Sequence, residues 1–168
     1  MYIKISLIIS LLILSGCAMM KDYVASMEAN SPQVIIKRQL ETPILGSTTY
    51  IYEVSNDRKC NGDSSKPDTR FMVLDEGNPM VSEFNSKGVN VKANEPISLL
   101  LHSIAGIAKQ CSVIVTFTPE TNFDYQIQLS GVLQSPRPTV CKAEIYGISK
   151  TTNLVKPLPL KYHKVCNG

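Results

Sequence analysis

Charged residues are scarce in this chain of 168 residues, since Asp, Glu, Lys and Arg together make up 18% of it. Globular domains usually carry about 25% charged residues, and the low fraction excludes a charge-rich disordered chain. The net charge is only +3, and the basic residues form no cluster. Nucleic-acid binding proteins usually show a basic patch or stripe, so we expect no nucleic-acid partner.

Motifs of catalysis are also missing from the sequence. It contains no G-x-S-x-G, no H-E-x-x-H, no glycine-rich phosphate loop and no G-x-G-x-x-G. The two histidines, His102 and His163, lie far apart in sequence, and neither has a flanking signature. We expect His102 on a strand face and His163 on an exposed edge, in structural or solvated roles. The sequence therefore predicts a protein that is not an enzyme and uses no cofactor.

The apolar run at the N-terminus is too short to cross a bilayer, which takes about 20 residues. It follows Lys4 and extends for about ten residues, from Ile5 to Leu14, interrupted by two serines. A short positive region followed by such a run is the layout of an export signal. We therefore predict that residues 1–16 are a signal peptide and are absent from the mature protein.

The end of the apolar run reads Leu14-Ser15-Gly16-Cys17. This tetrapeptide resembles the lipobox of bacterial lipoproteins. The resemblance implies cleavage before Cys17, a diacylglycerol on its thiol and an acylated N-terminus. In enteric bacteria, Asp after the cysteine retains lipoproteins at the inner membrane. Ala18 therefore implies an outer-membrane lipoprotein, with its domain facing the periplasm or the cell surface. The alternative is an ordinary secretory signal with an incidental cysteine.

Four of the five cysteines follow Cys17 in the chain: Cys60, Cys111, Cys141 and Cys166. An even number in an exported chain indicates a disulfide framework, because export leads to an oxidising compartment. Four cysteines allow three pairings, and we favour Cys60–Cys111 and Cys141–Cys166, which link successive segments. Zinc is the rival interpretation, but no two cysteines have the C-x₂₋₄-C spacing of a zinc site. We therefore expect no metal.

Residues 17–32 show no sustained hydrophobic period, and we interpret them as the lipidated cysteine and a tether to the membrane. A helix over residues 21–27 is the alternative, but it would be too short to be stable alone. The remainder of the chain, residues 33–168, is typical of one folded domain, since it is long enough to bury somewhat over 60% of its extended-chain surface.

Period-two hydrophobic alternation dominates this domain. Over residues 123–129 every odd position is apolar and every even one polar, the pattern of a half-buried strand. Residues 111–117 alternate similarly, and the turn-like residues 119–122 between the two runs predict a hairpin. Turn-forming residues separate further strand-like runs, at 50–54, 69–74, 89–93, 97–102 and 141–148. The sequence therefore predicts an all-β fold, an antiparallel β-sandwich that is immunoglobulin-like or related and stapled by disulfides.

Residues 99–109 are the one segment where a helix competes with this interpretation. Apolar residues there also fit helical spacing. Gly106 and the strand-like residues 96–98 count against a helix, and we predict a strand to about Ser103, followed by a loop.

A second resemblance starts from residues 111–119, followed by Tyr125 and Cys141. They resemble a group of small uncharacterised bacterial lipoproteins that share an early Cys, an apolar strand led by Gly or Pro, C-x₅-F-x-P, a Tyr and a late Cys. The matching positions here are Cys60, Pro96, Cys111, Phe117, Pro119, Tyr125 and Cys141. The group implies a disulfide-stapled β-sandwich without an established activity.

The residues that carry this second resemblance also have a physical interpretation of their own. Pro119 cannot donate to a sheet ladder and so ends a strand. Phe117 is large enough to fill the core. Tyr125 is expected to bury its ring and bond its hydroxyl at a sheet edge. We therefore expect these residues to serve the architecture of the domain and not its chemistry.

The function that these observations predict is a non-catalytic structural or interaction domain of an envelope lipoprotein, held by its lipid anchor beside a protein partner. The alternative is a module that binds a glycan or peptide, or an inhibitor of a hydrolase that attacks the envelope. Four strand tyrosines could line such a surface: Tyr50, Tyr52, Tyr146 and Tyr162. Loops on a rigid scaffold commonly carry binding residues, so the first candidates are residues 56–68 and 131–139.

Overall fold

The computed structural model of this chain describes residues 20–42, 46–56, 68–106, 109–133, 139–159 and, for the backbone alone, 162–166. Within these residues all regular secondary structure is β. The strands are β1 (Lys21–Asp22), β2 (Gln33–Glu41), β3 (Ser47–Val54), β4 (Thr69–Glu76), β5 (Val89–Asn90), β6 (Ile97–Ala105), β7 (Lys109–Phe117), β8 (Phe123–Val132), β9 (Val140–Ser149), β10 (Val155–Leu158) and β11 (Tyr162–Cys166).

Two sheets pack face to face and confirm the predicted β-sandwich. The six-stranded sheet has the order β1-β4-β3-β6-β7-β11, and the five-stranded sheet has the order β10-β9-β8-β2-β5. Ile51 and Leu101 of the first sheet and Ile127 and Leu129 of the second are fully buried in one hydrophobic core. The faces that the alternating sequence marks as apolar are the faces that meet.

Most neighbouring strands are antiparallel, as predicted, but two pairs are parallel. β1 pairs with β4 over two residues, and β2 pairs with β8 from Val34 opposite Tyr125 to Glu41 opposite Val132. Parallel neighbours need a crossover connection, and here the chain between β2 and β8 builds most of the six-stranded sheet. Hydrophobic alternation indicates which face of a strand is buried. It does not indicate whether the neighbouring strand is parallel or antiparallel.

The predicted hairpin between residues 111–117 and 123–129 is wrong. β7 pairs with β6 and β11 in the six-stranded sheet, whereas β8 pairs with β9 and β2 in the five-stranded sheet. The short connection between them crosses from one sheet to the other. Pro119 lies in this crossing, and its carbonyl accepts a hydrogen bond from the Asn94 N–H at 2.6 Å. Both strands keep the alternation because both turn their apolar side to the shared core.

The segment that could have been a helix is a strand. β6 covers the predicted strand region and continues to Ala105, which is 2% exposed. Gly106 follows with φ at 62°, a left-handed conformation that ends the strand. The burial pattern along β6 alternates, so a period of two describes these residues better than a helical period.

The folded unit begins before Gln33, which corrects the predicted boundary of the domain. Residues 20–32, expected to be a tether, lie on the sandwich, and we call them the N-terminal strap. The Tyr23 N–H donates to the Arg70 carbonyl, and the Ser26 N–H donates to the Asn90 carbonyl, both at 2.9 Å. The strap therefore runs from the edge of the six-stranded sheet, at β4, to the edge of the five-stranded sheet, at β5. Its single strand is only two residues long, too short to show a period.

Arg38 also links the two sheets. It lies on β2, and its Nη1 donates to the carbonyl oxygens of Ser47 at 2.9 Å and Leu74 at 3.3 Å, on β3 and β4. Burial lowers the pKa of Arg38, but an arginine whose N–H groups are hydrogen-bonded still carries its charge. The guanidinium therefore joins the ends of three strands at one end of the sandwich.

Candidate functional site

A disulfide joins the two sheets, between Cys111 on β7 and Cys141 on β9. The two Cα atoms are 6.1 Å apart, within the usual range for a disulfide. Both residues are buried in the core. The pairing corrects our expectation of Cys60–Cys111 and Cys141–Cys166. Each of the two bonded cysteines leads the core-facing positions of its strand, and those positions meet only because the sheets are stacked.

The structure does not describe the side chains of the other two cysteines that we predicted to form disulfides. Cys60 lies outside the described residues. Cys166 is the last residue of β11, where its backbone is opposite Ser112, and its side chain lies outside the described part. Cys17, the predicted lipidation site, also lies outside it.

The motif residues after Cys111 form one packed corner. The rings of Phe117 and Tyr125 have centroids 5.1 Å apart, and both side chains are buried. The Tyr125 hydroxyl accepts a hydrogen bond from the Glu120 N–H at 2.7 Å, and burial raises the pKa of this phenol. The expectation that Tyr125 buries its ring and bonds its hydroxyl is confirmed. This corner holds the crossing between the sheets.

Replacing Tyr125 by Phe is expected to lower the free energy of unfolding by about 1 kcal/mol, because the Glu120 N–H loses its acceptor. Urea unfolding of the two proteins measures the difference. Tyr146→Phe is the matched control, since the Tyr146 hydroxyl donates to Glu144 at 2.6 Å on an exposed surface where water can replace it. Equal losses in both variants would contradict the assigned role of Tyr125.

His102 lies on the outer face of the six-stranded sheet, which confirms its predicted place on a strand face. It is directly opposite Tyr50 on β3 and Ser112 on β7. Its Nδ1 lies 2.7 Å from the Ser112 Oγ. Burial lowers the pKa of His102, so the imidazole is neutral near pH 7. A neutral imidazole hydrogen-bonded to a serine could act as a base, but this pair also has a structural role, because it cross-links β6 and β7.

Two of the four candidate tyrosines lie together on this same outer face. The Tyr50 and Tyr52 rings are stacked, with centroids 6.4 Å apart and an interplanar angle of 12°. Burial raises the pKa of the Tyr52 phenol. We call Tyr50, Tyr52 and His102 the aromatic ledge. Partly buried aromatic rings on the outer face of a sheet are groups against which a sugar ring or a peptide could pack.

Of the remaining candidates from the sequence, Tyr146 does not join the ledge, and the others are described only in part. Tyr146 lies on β9 between the core-facing Ile145 and Gly147, and so on the outer face of the opposite sheet. His163 and Tyr162 belong to β11, the last strand of the six-stranded sheet, and their side chains lie outside the described residues. The two candidate loops, 56–68 and 131–139, also lie mostly outside them.

The strap is a surface that the sequence interpretation missed. Asp22 accepts two hydrogen bonds from Arg70, at 2.7 and 2.9 Å, and the Tyr23 ring lies 4.8 Å from the Phe71 ring. Burial raises the pKa of Tyr23 to about 12. The signal was present in the sequence as large apolar residues in a segment assigned to a tether: Met20, Tyr23, Val24 and Met27.

Two features are absent from the part of the chain that the structure describes. Within it, no group of three or more His, Cys, Asp or Glu side chains is placed to hold a metal ion. No helix there is long and apolar enough to span a membrane.

Comparison with known proteins leaves the two resemblances to lipoproteins as expectations. No protein-family model matches the chain, and no match is found among curated proteins or solved structures.

Proposed function

We propose that this chain is a lipoprotein of the bacterial envelope, anchored in the outer membrane through Cys17, and that its β-sandwich works by contact with a protein partner and not by catalysis. The observation that carries the proposal is the Cys111–Cys141 disulfide, buried between the two sheets. Disulfides of this kind persist in oxidising compartments and are rare in the cytosol.

The N-terminal sequence supports the same location. An export signal that ends in Leu14-Ser15-Gly16-Cys17 would deliver the chain to such a compartment and leave Cys17 as its first residue. Several acyl chains on one residue give lasting attachment, because each buried CH₂ contributes about 0.8 kcal/mol. The anchor would then account for the one cysteine that the disulfide framework does not need.

The bonding and position of the candidate reactive groups support a protein that acts by contact with a partner. The sulfur atoms of Cys111 and Cys141 are bonded to each other and so unavailable as nucleophiles. Ser112, which is close to His102, lies on the outer face of the six-stranded sheet, where a partner could pack.

Replacing Cys17 by Ala is expected to abolish lipidation and to leave an uncut precursor. The wild-type protein from the same cells should begin at an acylated Cys17. Intact-protein mass spectrometry of the membrane fraction measures both results. A wild-type mature chain without lipid would contradict the proposed anchor, whereas a cut and acylated chain that sediments with the inner membrane would contradict only the outer-membrane assignment.

A glycan-binding module is the second candidate, and the aromatic ledge favours it. Two tyrosine rings beside a histidine on one outer sheet face are groups against which a sugar ring could pack. Crosslinking of the lipidated protein in cells and a glycan array separate the two candidates. A reproducible envelope protein in the crosslinked sample supports the first proposal. A glycan signal that weakens on Tyr52→Ala, without a protein partner, supports the second.

A further inference from the structure

The exposed side of the strap carries three large apolar side chains, beside the charged Lys21 and Asp22. The exposed fractions of Met20, Val24 and Met27 are 53%, 73% and 95%. Tyr23 and Ser26, between them, are turned toward the sandwich. Isolated exposed apolar residues are ordinary on a protein surface, but here three of them fall within eight consecutive residues, and the segment that carries them is held in place.

The strap is fastened at both of its ends. Near its start, Asp22 pairs with Arg70, and Tyr23 packs on Phe71. Near its end, the Lys150 Nζ donates to the carbonyl oxygens of Asn30 and Ser31, both at 3.0 Å. Its apolar side chains are therefore presented by the folded domain and do not belong to a free linker.

The position of the lipid anchor indicates that a membrane covers the exposed side of the strap. Cys17 precedes Met20 by three residues, and consecutive Cα atoms are 3.8 Å apart. The Cα atoms of the two residues are therefore separated by about 11 Å at most. A diacylglycerol on Cys17 lies in the bilayer, so Met20 must lie within that distance of the anchor point at the lipid surface.

Charge around the strap does not favour one kind of lipid. Lys21 and Lys92 lie near Glu28, Glu53 and Glu95 around the same shallow depression. Asp22 lines it as well, so the carboxylates outnumber the ammonium groups there, and attraction of the strap to a membrane would come from its apolar side chains and not from anionic headgroups.

We propose that the strap is a membrane-contact surface, with Met20, Val24 and Met27 inserted into the headgroup region of the bilayer that holds the anchor. This inference rests on the proposed lipidation of Cys17. The domain then lies on the membrane in a fixed orientation, with the strap edge toward the lipid.

Methionine oxidation tests this orientation, because the chain supplies its own control. Met80 is 92% exposed and lies in the turn after β4, whereas the strap contacts the start of β4 at Arg70. The length of the strand from Arg70 to Glu76 separates the two sites by roughly 20 Å. Met72 is fully buried, so its oxidation gives the value expected for a methionine that peroxide does not reach.

The experiment compares two proteins on phosphatidylethanolamine–phosphatidylglycerol vesicles. One is the mature lipidated protein, and the other is the chain from Ala18 onward, which keeps every described residue and lacks the lipid. After a brief peroxide treatment, mass spectrometry measures oxidation at each methionine. We expect oxidation of Met20 and Met27 to fall several-fold in the lipidated protein, while Met80 reacts equally in both.

The outcomes separate this inference from the proposal on which it rests. If Cys17 carries no acyl group, both are overturned. If Cys17 is acylated but Met27 reacts as fast as Met80, the membrane contact is overturned, and the lipoprotein proposal stands. If the lipid-free chain shows the same protection at the same concentration without vesicles, the strap is instead an interface between two copies, which also overturns the membrane contact.

Discussion

Removing the Cys111–Cys141 disulfide is expected to lower the free energy of unfolding by about 3 to 4 kcal/mol. The bond closes a loop with a sequence separation of 30 residues, and the estimate follows from the chain entropy that such a closure removes from the unfolded state. The double variant Cys111→Ala/Cys141→Ala leaves no lone thiol that could form a new bridge. Urea unfolding of this variant and of the wild type, both without reductant, measures the difference.

Peptide mapping of the non-reduced protein tests the pairing itself. We expect a crosslinked peptide that contains Cys111 and Cys141. The cysteine count then leaves Cys60 and Cys166 for each other, and a second crosslinked peptide is expected to contain both. A Cys60–Cys111 peptide would show that the intersheet bond is wrong, and an unchanged stability of the double variant would show that it contributes nothing to folding.

Replacing Gly131 by Ala is expected to destabilise the domain by about 2 to 3 kcal/mol, the usual result of overpacking. Gly131 on β8 is directly opposite Cys141 on β9. A Cβ atom at this position would overlap the Val140 carbonyl oxygen and would lie 3.0 Å from the Cys141 Cα and 3.1 Å from its Sγ. Backbone atoms cannot move aside as a side chain can. Gly131 therefore provides the space in which the disulfide lies.

Gly147→Ala is the matched control for this prediction, because Gly147 on β9 is also directly opposite a residue of β8. The nearest atoms to its added Cβ belong to side chains, Phe123 Cδ1 at 3.3 Å and Leu158 Cδ1 at 3.4 Å, which can shift. Urea unfolding of the two variants should show a clearly larger loss for Gly131→Ala. Equal losses would mean that the space beside Cys141 has no special role.

The buried faces of the strands followed from the sequence to a large extent. Along β7 and β8 the side chains that alternate as apolar in the sequence are those that lie in the core, and Tyr125 bonds its hydroxyl as expected. A strand with one solvent-exposed face shows a hydrophobic period of two, because successive side chains point to opposite faces. At β6, Gly106 and the strand-like residues 96–98 favoured a strand over a helix, and the burial pattern there alternates.

The candidate site was predicted less completely. His102 was placed on a strand face, but its contact with Ser112 and its place opposite Tyr50 come from the register of three strands. The strap was interpreted as a tether because its contacts are made by single residues, such as Tyr23 on Phe71, and not by a periodic run. Contacts of this kind leave no repeating pattern in a sequence.

The sequence by itself determined that the domain is all-β and, for strands that alternate, such as β7 and β8, which residues face inward. Only the tertiary structure decided which strands are neighbours, and with them that β7 and β8 belong to different sheets and that Cys111 bonds Cys141. The physical reason is that hydrophobic alternation is a property of one strand and its solvent, fixed by local geometry. Strand pairing and disulfide partners depend on which apolar faces meet across the core, and many arrangements of the same strands would bury the same residues.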